Sequence, residues 1–212
     1  MESGQGSPPN TRQRGDTVVS ETTTTNSGAR LGDPAPLGLS GLAMSLGLLS
    51  FHNSGLVKEA GLTSLTAATA VVFGGLVSVL MSMWEYRRGN TFSATFFGVL
   101  GAFWLTTYWA HAGMNAGYKS MGLYFLGWTV IGVYLTLAAL KTSGATLGTT
   151  GGLTLTWLFL ALGQFQNSAD PDGLTKVGGW LGLATALLAF YGSCAGVANE
   201  THGKQVLPTW PR

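Results

Sequence analysis

The chain has 212 residues, of which 46% are hydrophobic and only 9% are charged, with 32 glycines and a formal net charge of +2. Soluble domains carry roughly 25% charged residues, so this balance indicates an integral membrane protein. The small and dispersed net charge argues against a nucleic-acid partner. Cys194 is the single cysteine, which excludes an internal disulfide framework and a metal cluster built from cysteines.

Residues 1–32 are rich in Ser, Thr, Gly and Asn and contain almost no large apolar side chains. Such a segment cannot bury enough apolar surface to offset the entropy cost of ordering, so we predict a disordered tail. A secretory signal peptide needs an early apolar core beside its basic residues. Because the apolar sequence starts only after Asp33, we expect the tail to be retained.

The first apolar stretch begins with "GDPAPLGLSGLAM" at residues 32–44. Proline is tolerated in the first turn of a helix, where its missing N–H would have had no partner, and Asp33 is a favourable N-cap for such a start. The two prolines therefore predict the beginning of a membrane helix. The positive end of that helix would face any anion that passes its start.

Residues 33–200 contain six uncharged stretches, each long enough to cross about 30 Å of hydrocarbon. These stretches lack the alternation of barrel strands, so they predict helices. The predicted fold class is an all-α integral membrane protein, a six-transmembrane-helix bundle. The expected spans are about 36–56, 61–84, 92–112, 120–140, 146–166 and 176–197, in a domain at 33–200 that is followed by a tail at 201–212.

With six spans, both termini lie on the same side of the membrane, and that side carries most of the basic residues. Its Lys and Arg residues are Arg12, Arg14, Arg30, Arg87, Arg88, Lys141, Lys204 and Arg212. The other side has only Lys58, Lys119 and Lys176. The excess predicts a multi-pass protein of the plasma membrane with both termini in the cytoplasm.

Small residues recur four apart, as in Gly148 with Gly152, Gly178 with Gly182 and Gly192 with Gly196. This spacing lets helix backbones approach closely in lipid, so helix packing is the favoured interpretation. The alternative is that small side chains around the bundle axis leave room for a solute pathway.

The predicted spans contain no Asp or Glu, since Glu85 lies at the end of the second span beside Arg87 and Arg88. Coupled transporters commonly use intramembrane carboxylates, which are missing here. His52 and His111 are interpreted as polar residues at an interface, with an anion-attracting vestibule as the alternative. The sequence offers no convincing metal site, no cofactor-binding loop and no nucleophile, base and acid set, so we expect no enzyme activity.

Several motifs occur in the order found in a known transporter family. "DPAPLGL" (Asp33, Pro34, Ala35, Pro36, Leu37, Gly38, Leu39) resembles the signature "NPAPLGL" of the acetate uptake transporter family, also called succinate-acetate permeases. "EYRRGNTF" followed by "GAFW" matches the family's link into its third helix, and "YFLGW", "GGWLG" and "NETHGKQVLP" resemble later segments. The likeness covers residues 33–208.

This resemblance implies a homo-hexamer in which each protomer has its own pathway for acetate, and in some members for succinate. It also implies a ring of apolar side chains that constricts the pathway, at positions that match Leu42, Leu100 and Leu153 here. Ala189 falls where the family has a small pathway residue. Ser45, Ser50 and Ser78 match positions with stronger hydrogen-bonding groups in some relatives.

The sequence departs from the family pattern at two places. Leucines replace the aromatic pair of the constriction, which removes a hydroxyl that could bind a passing carboxylate. Asp33 replaces the first Asn of the signature and adds a negative charge at a helix start.

The sequence-based hypothesis is therefore transport of acetate and related small monocarboxylates across the lipid bilayer, as an anion channel or a proton-linked permease with a leucine constriction. Such a hydrophobic constriction can gate by dewetting. Two alternatives remain open at this point: a channel for small neutral solutes such as urea, short amides or undissociated acids, and a membrane scaffold that transports nothing.

Overall fold

The structure is a computed structural model that describes Met1 and residues 32–112, 116–166 and 173–211, without the side chains of residues 111 and 112. The predicted tail at 1–32 therefore lies almost entirely outside the described residues, as does the His111 side chain. The compact unit described below is Gly32–Arg212.

Six long helices form this unit. They are α1 (Ala35–Asn53), α2 (Ala60–Arg87), α3 (Thr91–Ala112), α4 (Tyr118–Ala139), α5 (Gly144–Phe165) and α6 (Gly173–His202). By length and composition, every one except α3 is apolar enough to cross a membrane; α3 has 22 residues. Because the described residues contain no strand beyond an isolated bridge, the predicted all-helical membrane fold is confirmed.

Neighbouring helices follow one another around the bundle in chain order. α2 packs against α1 and α3, α5 packs against α4, and α6 packs along both α5 and α1, which closes the ring. Only three to seven residues link consecutive helices, so neighbours run in opposite directions and the odd-numbered helices all start at the same end of the bundle. We call this the Arg88 end, because Arg88 lies there between α2 and α3, and we call the opposite end, where α1 finishes, the His52 end.

Large apolar side chains cover much of the outside of the bundle, whereas its interior contains many hydroxyl groups. Exposed examples are Val72, Leu76, Leu80, Leu123, Val130 and Leu137. Buried hydroxyls such as that of Thr156 donate to the carbonyl four residues earlier, here Gly152 at 2.8 Å. The outside thus suits lipid or a neighbouring subunit, and many interior polar groups are satisfied within their own helix.

Helix α1 meets α6 through glycines spaced along one face of α6. A methyl group added to Gly179 would collide with the Ser54 backbone, and one added to Gly182 would collide with the Ser50 hydroxyl. Gly182 belongs to the predicted pair of Gly178 with Gly182, and its contact agrees with the interpretation of that spacing as helix packing, whereas Gly179 lies outside the predicted pairs.

The middle of α2 is a π-helix over Ala70–Val77, between α-helical segments Ala60–Thr69 and Ser78–Arg87. Its Gly74 faces both neighbouring helices, since a methyl group there would lie 2.7 Å from Ser45 Oγ on α1 and 2.7 Å from Trp104 Cδ1 on α3. π-helical segments are rare and occur frequently at functional sites, so the junction of α1, α2 and α3 at Gly74 is a candidate part of the functional site.

The C-terminal segment returns across the Arg88 end and caps the start of α5. The Gly144 and Ala145 N–H groups donate to the carbonyls of Trp210 and Thr209, at 2.8 and 3.4 Å. The Asn199 side chain binds the backbone N–H groups of residues 206 and 207, and the Trp210 ring stacks on Tyr191 at 5.6 Å. The first N–H groups of a helix lack acceptors within the helix, and the C-terminal segment supplies acceptors for two of those in α5.

Candidate functional site

The signature residues form the start of α1 and anchor it to α6. α1 begins at Ala35, and its N-cap is Pro34 rather than the predicted Asp33. Asp33 Oδ1 accepts a hydrogen bond from the Ala35 N–H at 3.1 Å. The Pro36 carbonyl accepts from Ser193 Oγ on α6 at 2.7 Å. Gly38 lies under the Phe97 ring of α3, so its lack of a side chain permits that contact.

Arg88 links the start of α1 to the end of α2. Its Nη1 lies 2.6 Å from Asp33 Oδ1 and 3.5 Å from Glu85 Oε1. The Glu85 side chain is fully buried, whereas those of Arg88 and Asp33 are about one-third exposed. The extra negative charge at Asp33, which the sequence shows as a departure from the family signature, thus lies against Arg88, which Asp33 shares with Glu85.

A cleft of about 200 Å³ opens beside this ion pair between the starts of α1 and α5, the last turns of α6 and the C-terminal segment. Its polar lining includes Asp33, Ser143, Thr146, Thr149 and Thr209. Thr149 is buried and donates to the Ala145 carbonyl at 2.9 Å. The cleft therefore presents hydroxyl groups and one carboxylate to the Arg88 end.

The three predicted constriction leucines lie at a similar depth in one buried cluster. Leu42, Leu100 and Leu153 are 0%, 0% and 2% exposed and belong to the same apolar core. They follow the starts of α1, α3 and α5 by seven, nine and nine residues, which at 1.5 Å per residue places them about 10–14 Å from the Arg88 end. We call these three residues the leucine layer.

The other predicted pathway residues are distributed around this layer. Ala189 of α6 is fully buried in the same apolar core. Ser45 is buried where α1 meets the π-helix, and its hydroxyl donates to the Thr69 carbonyl at 3.3 Å. Ser78 is fully buried on α2, whereas Ser50 is packed against Gly182 in the contact between α1 and α6. Asp33 lies apart from all of them, at the Arg88 end.

Five buried side-chain atoms in the described part of the chain have no hydrogen-bond partner, and they occur at successive depths. They are Glu85 Oε2, Ser78 Oγ, Trp104 Nε1, Trp157 Nε1 and His52 Nδ1. From their positions along the helices, they lie about 3, 14, 20, 20 and 26 Å from the Arg88 end. Buried polar groups are normally paired, so unpartnered groups spread through the bundle call for an explanation.

The sequence interpretation missed the two tryptophans in this set. Trp104 follows Leu100 by four residues and Trp157 follows Leu153 by four residues. Residues four apart lie on the same helix face, so the leucine positions could have pointed to both indoles. It also missed the ion pair of Asp33 with Arg88, because nothing in the sequence indicates that these residues meet.

Among the described residues, no group of three His, Cys, Asp or Glu side chains comes together that could hold a metal ion.

Comparison with known proteins gives one consistent family. The model of the GPR1/FUN34/yaaH family matches residues 15–211. The chain is 35% identical over 184 residues to the "Glyoxylate pathway regulator" of Yarrowia lipolytica, an alignment that covers 80% of this chain and 65% of that one. It is 31% identical over 185 residues to the "Succinate-acetate/proton symporter SatP" of Escherichia coli K12, which covers 84% of this chain and 95% of that one.

A solved structure agrees with this assignment. "Structure of the bacterial acetate channel SatP" superposes with a TM-score of 0.78 at 31% identity and covers 85% of this chain and 99% of that chain. Together with the apolar helices, this likeness supports a multi-pass membrane protein. The chain belongs to the GPR1/FUN34/yaaH family, and the resemblance to the acetate and succinate-acetate permeases is confirmed.

Proposed function

We propose that the protein transports acetate and related small monocarboxylates, with succinate as a further substrate, through a pathway inside each protomer. The observation that carries the proposal is the leucine layer, with unpartnered polar atoms on both sides of it. The similar proteins from E. coli and the solved bacterial structure are named for acetate, which supports the substrate class. Transport, rather than catalysis, is the function proposed.

In this mechanism an anion enters the cleft at the Arg88 end, loses part of its hydration and crosses the leucine layer. A hydrophobic constriction can gate by dewetting, and conduction requires binding weak enough for release. Leu42, Leu100 and Leu153 form the constriction, and Ala189 leaves space beside it. Ser45 and Ser78 contribute hydroxyls near this depth, and Ser50 lies further towards the His52 end.

The same proposal includes the setting of the protein. Its basic residues favour the plasma membrane with both termini and the Arg88 end in the cytoplasm. A homo-hexamer follows from the family resemblance, and the exposed apolar faces of α2 and α4 suit contact with lipid or other subunits. Native mass spectrometry of the purified protein measures the subunit number, and a mass other than that of six chains would contradict the hexamer.

Flux through purified protein in liposomes tests the transport proposal. We expect acetate uptake above that of protein-free liposomes, with lactate, succinate and urea compared in the same preparation. An accompanying electrical current favours an anion channel, whereas electrically silent uptake that depends on the proton gradient favours a proton-linked permease. The absence of acetate uptake would contradict the proposed function, and uptake of urea alone would indicate a neutral-solute channel.

The ion pair of Asp33 with Arg88 predicts a modest electrostatic effect at the entrance. Asp33→Asn keeps a side chain that suits a helix start but removes the charge that balances Arg88. We expect acetate flux at low ionic strength to rise by less than about threefold, since exposed pairs contribute little. The difference in acetate flux between Asp33→Asn and the wild type should disappear at high salt, where exposed charges are screened.

Glu200→Gln is the matched control, because it removes one negative charge at the same end from an exposed position on α6. An equal rise in both variants would show a general charge effect. A fall in flux for Asp33→Asn would instead mean that the carboxylate itself assists the passing solute.

A further inference from the structure

Two tryptophans form a pair of buried donors beyond the leucine layer. Trp104 on α3 and Trp157 on α5 are each only 1% exposed, and neither Nε1 atom has a hydrogen-bond partner among the described residues. An indole N–H can donate a hydrogen bond but cannot accept one. Leaving such a donor buried and unpaired costs free energy, so a ligand that accepts hydrogen bonds would be stabilised here.

The two indoles are placed alike on their helices. Each follows the first residue of its helix by thirteen positions, which puts both about 20 Å from the Arg88 end, one turn beyond Leu100 and Leu153. The Phe103 ring contacts both, with its centroid 5.0 Å from that of Trp104 and 5.1 Å from that of Trp157. The indoles therefore occupy one layer of the bundle and share an aromatic neighbour.

The surroundings of this layer favour a small anion that accepts hydrogen bonds. The predicted spans carry no Asp or Glu at this depth that would repel an anion, and no Lys or Arg that would hold it tightly. Hydrogen bonds to an ionised acceptor are roughly twice as strong as those between neutral groups. A carboxylate is thus preferred over a neutral amide of the same size, and an ammonium ion finds no acceptor on either indole.

We propose that the N–H groups of Trp104 and Trp157 bind the carboxylate of the transported solute immediately after it has crossed the leucine layer. This site rests on the proposed function and gives it a specific recognition step. The indoles replace part of the water that the solute has lost, without a fixed positive charge, so binding stays weak enough for release towards the His52 end.

The test uses Trp104→Phe, Trp157→Phe and the double variant in reconstituted flux measurements, because phenylalanine keeps an aromatic ring and removes the N–H. We expect the half-saturating acetate concentration to rise by at least about tenfold in the double variant and by less in each single variant. Trp128→Phe is the matched control. Its ring lies 5.4 Å from Phe103, and its nitrogen is not among the unpartnered buried atoms.

Intrinsic tryptophan fluorescence of the purified wild-type protein gives a second readout that does not depend on the variants folding. We expect acetate to shift the emission of the wild type and of Trp128→Phe, and to leave the folded double variant unchanged. Wild-type acetate flux without an emission change, or an unaltered half-saturating concentration in the double variant, would overturn the indole site. Absence of wild-type acetate flux would instead overturn the proposed function.

Discussion

Replacing Leu153 with tryptophan is expected to reduce acetate flux to the level of protein-free liposomes. Leu153 is 2% exposed and shares the leucine layer with Leu42 and Leu100. An indole at this buried position adds several heavy atoms, so the proposed constriction can no longer open to a hydrated or partly hydrated anion. Reconstituted flux at matched protein content measures the loss.

Two companion variants make this result specific. Leu155→Trp adds the same side chain two residues later, where the native leucine is 46% exposed on the outside of α5, and it should retain flux. Leu153→Ala should increase flux, because it widens the same layer. A folded Leu153→Trp protein with normal acetate flux would contradict a constriction at the leucine layer.

Gly179→Val is expected to destabilise the folded protein by about 3 kcal/mol or more, the upper range for overpacking of a tight contact. The new side chain would meet the backbone of Asn53 and Ser54, which cannot rotate out of the way as a flexible side chain could. α1 would therefore have to move away from α6, and the leucine of α1 would move with it. Thermal unfolding in detergent measures the loss of stability.

Gly127→Val is the matched control for this substitution. Gly127 is also inside a helix, α4, but it is exposed, and a methyl group added there meets nothing within 4 Å. Both variants gain the same β-branched residue, so the difference between their melting temperatures reports the contact of α6 with α1. Equal melting temperatures for the two variants would contradict the close approach at Gly179.

The sequence was sufficient to predict the helical membrane fold and the family. Membrane helices need long apolar segments, and those segments are visible between the charged residues without knowledge of any contact. The signature at Asp33 to Leu39 and the later motifs identified the family because they are local patterns. Likewise, the separation of Leu42, Leu100 and Leu153 from their helix starts can be counted along the chain.

Features that depend on long-range contacts were not predictable in the same way. The π-helix at Ala70–Val77 has no sequence signal of its own, because its glycines would be equally compatible with an α-helix. The ion pair of Arg88 with Asp33 joins residues 55 positions apart, and the cap on α5 joins Gly144 to Trp210. Hydropathy and charge describe each segment separately and do not specify which segments meet.

The cap on α5 has a consequence for the order in which the protein is made. The Gly144 and Ala145 N–H groups find their partners only in the carbonyls of Trp210 and Thr209, more than sixty residues later in synthesis. While the ribosome is still translating α6, the start of α5 must rely on water, lipid headgroups or the insertion machinery for those hydrogen bonds. The start of α5 therefore acquires these hydrogen bonds only after residues 209 and 210 have emerged, so this part of the Arg88 end is completed late in the synthesis of the bundle.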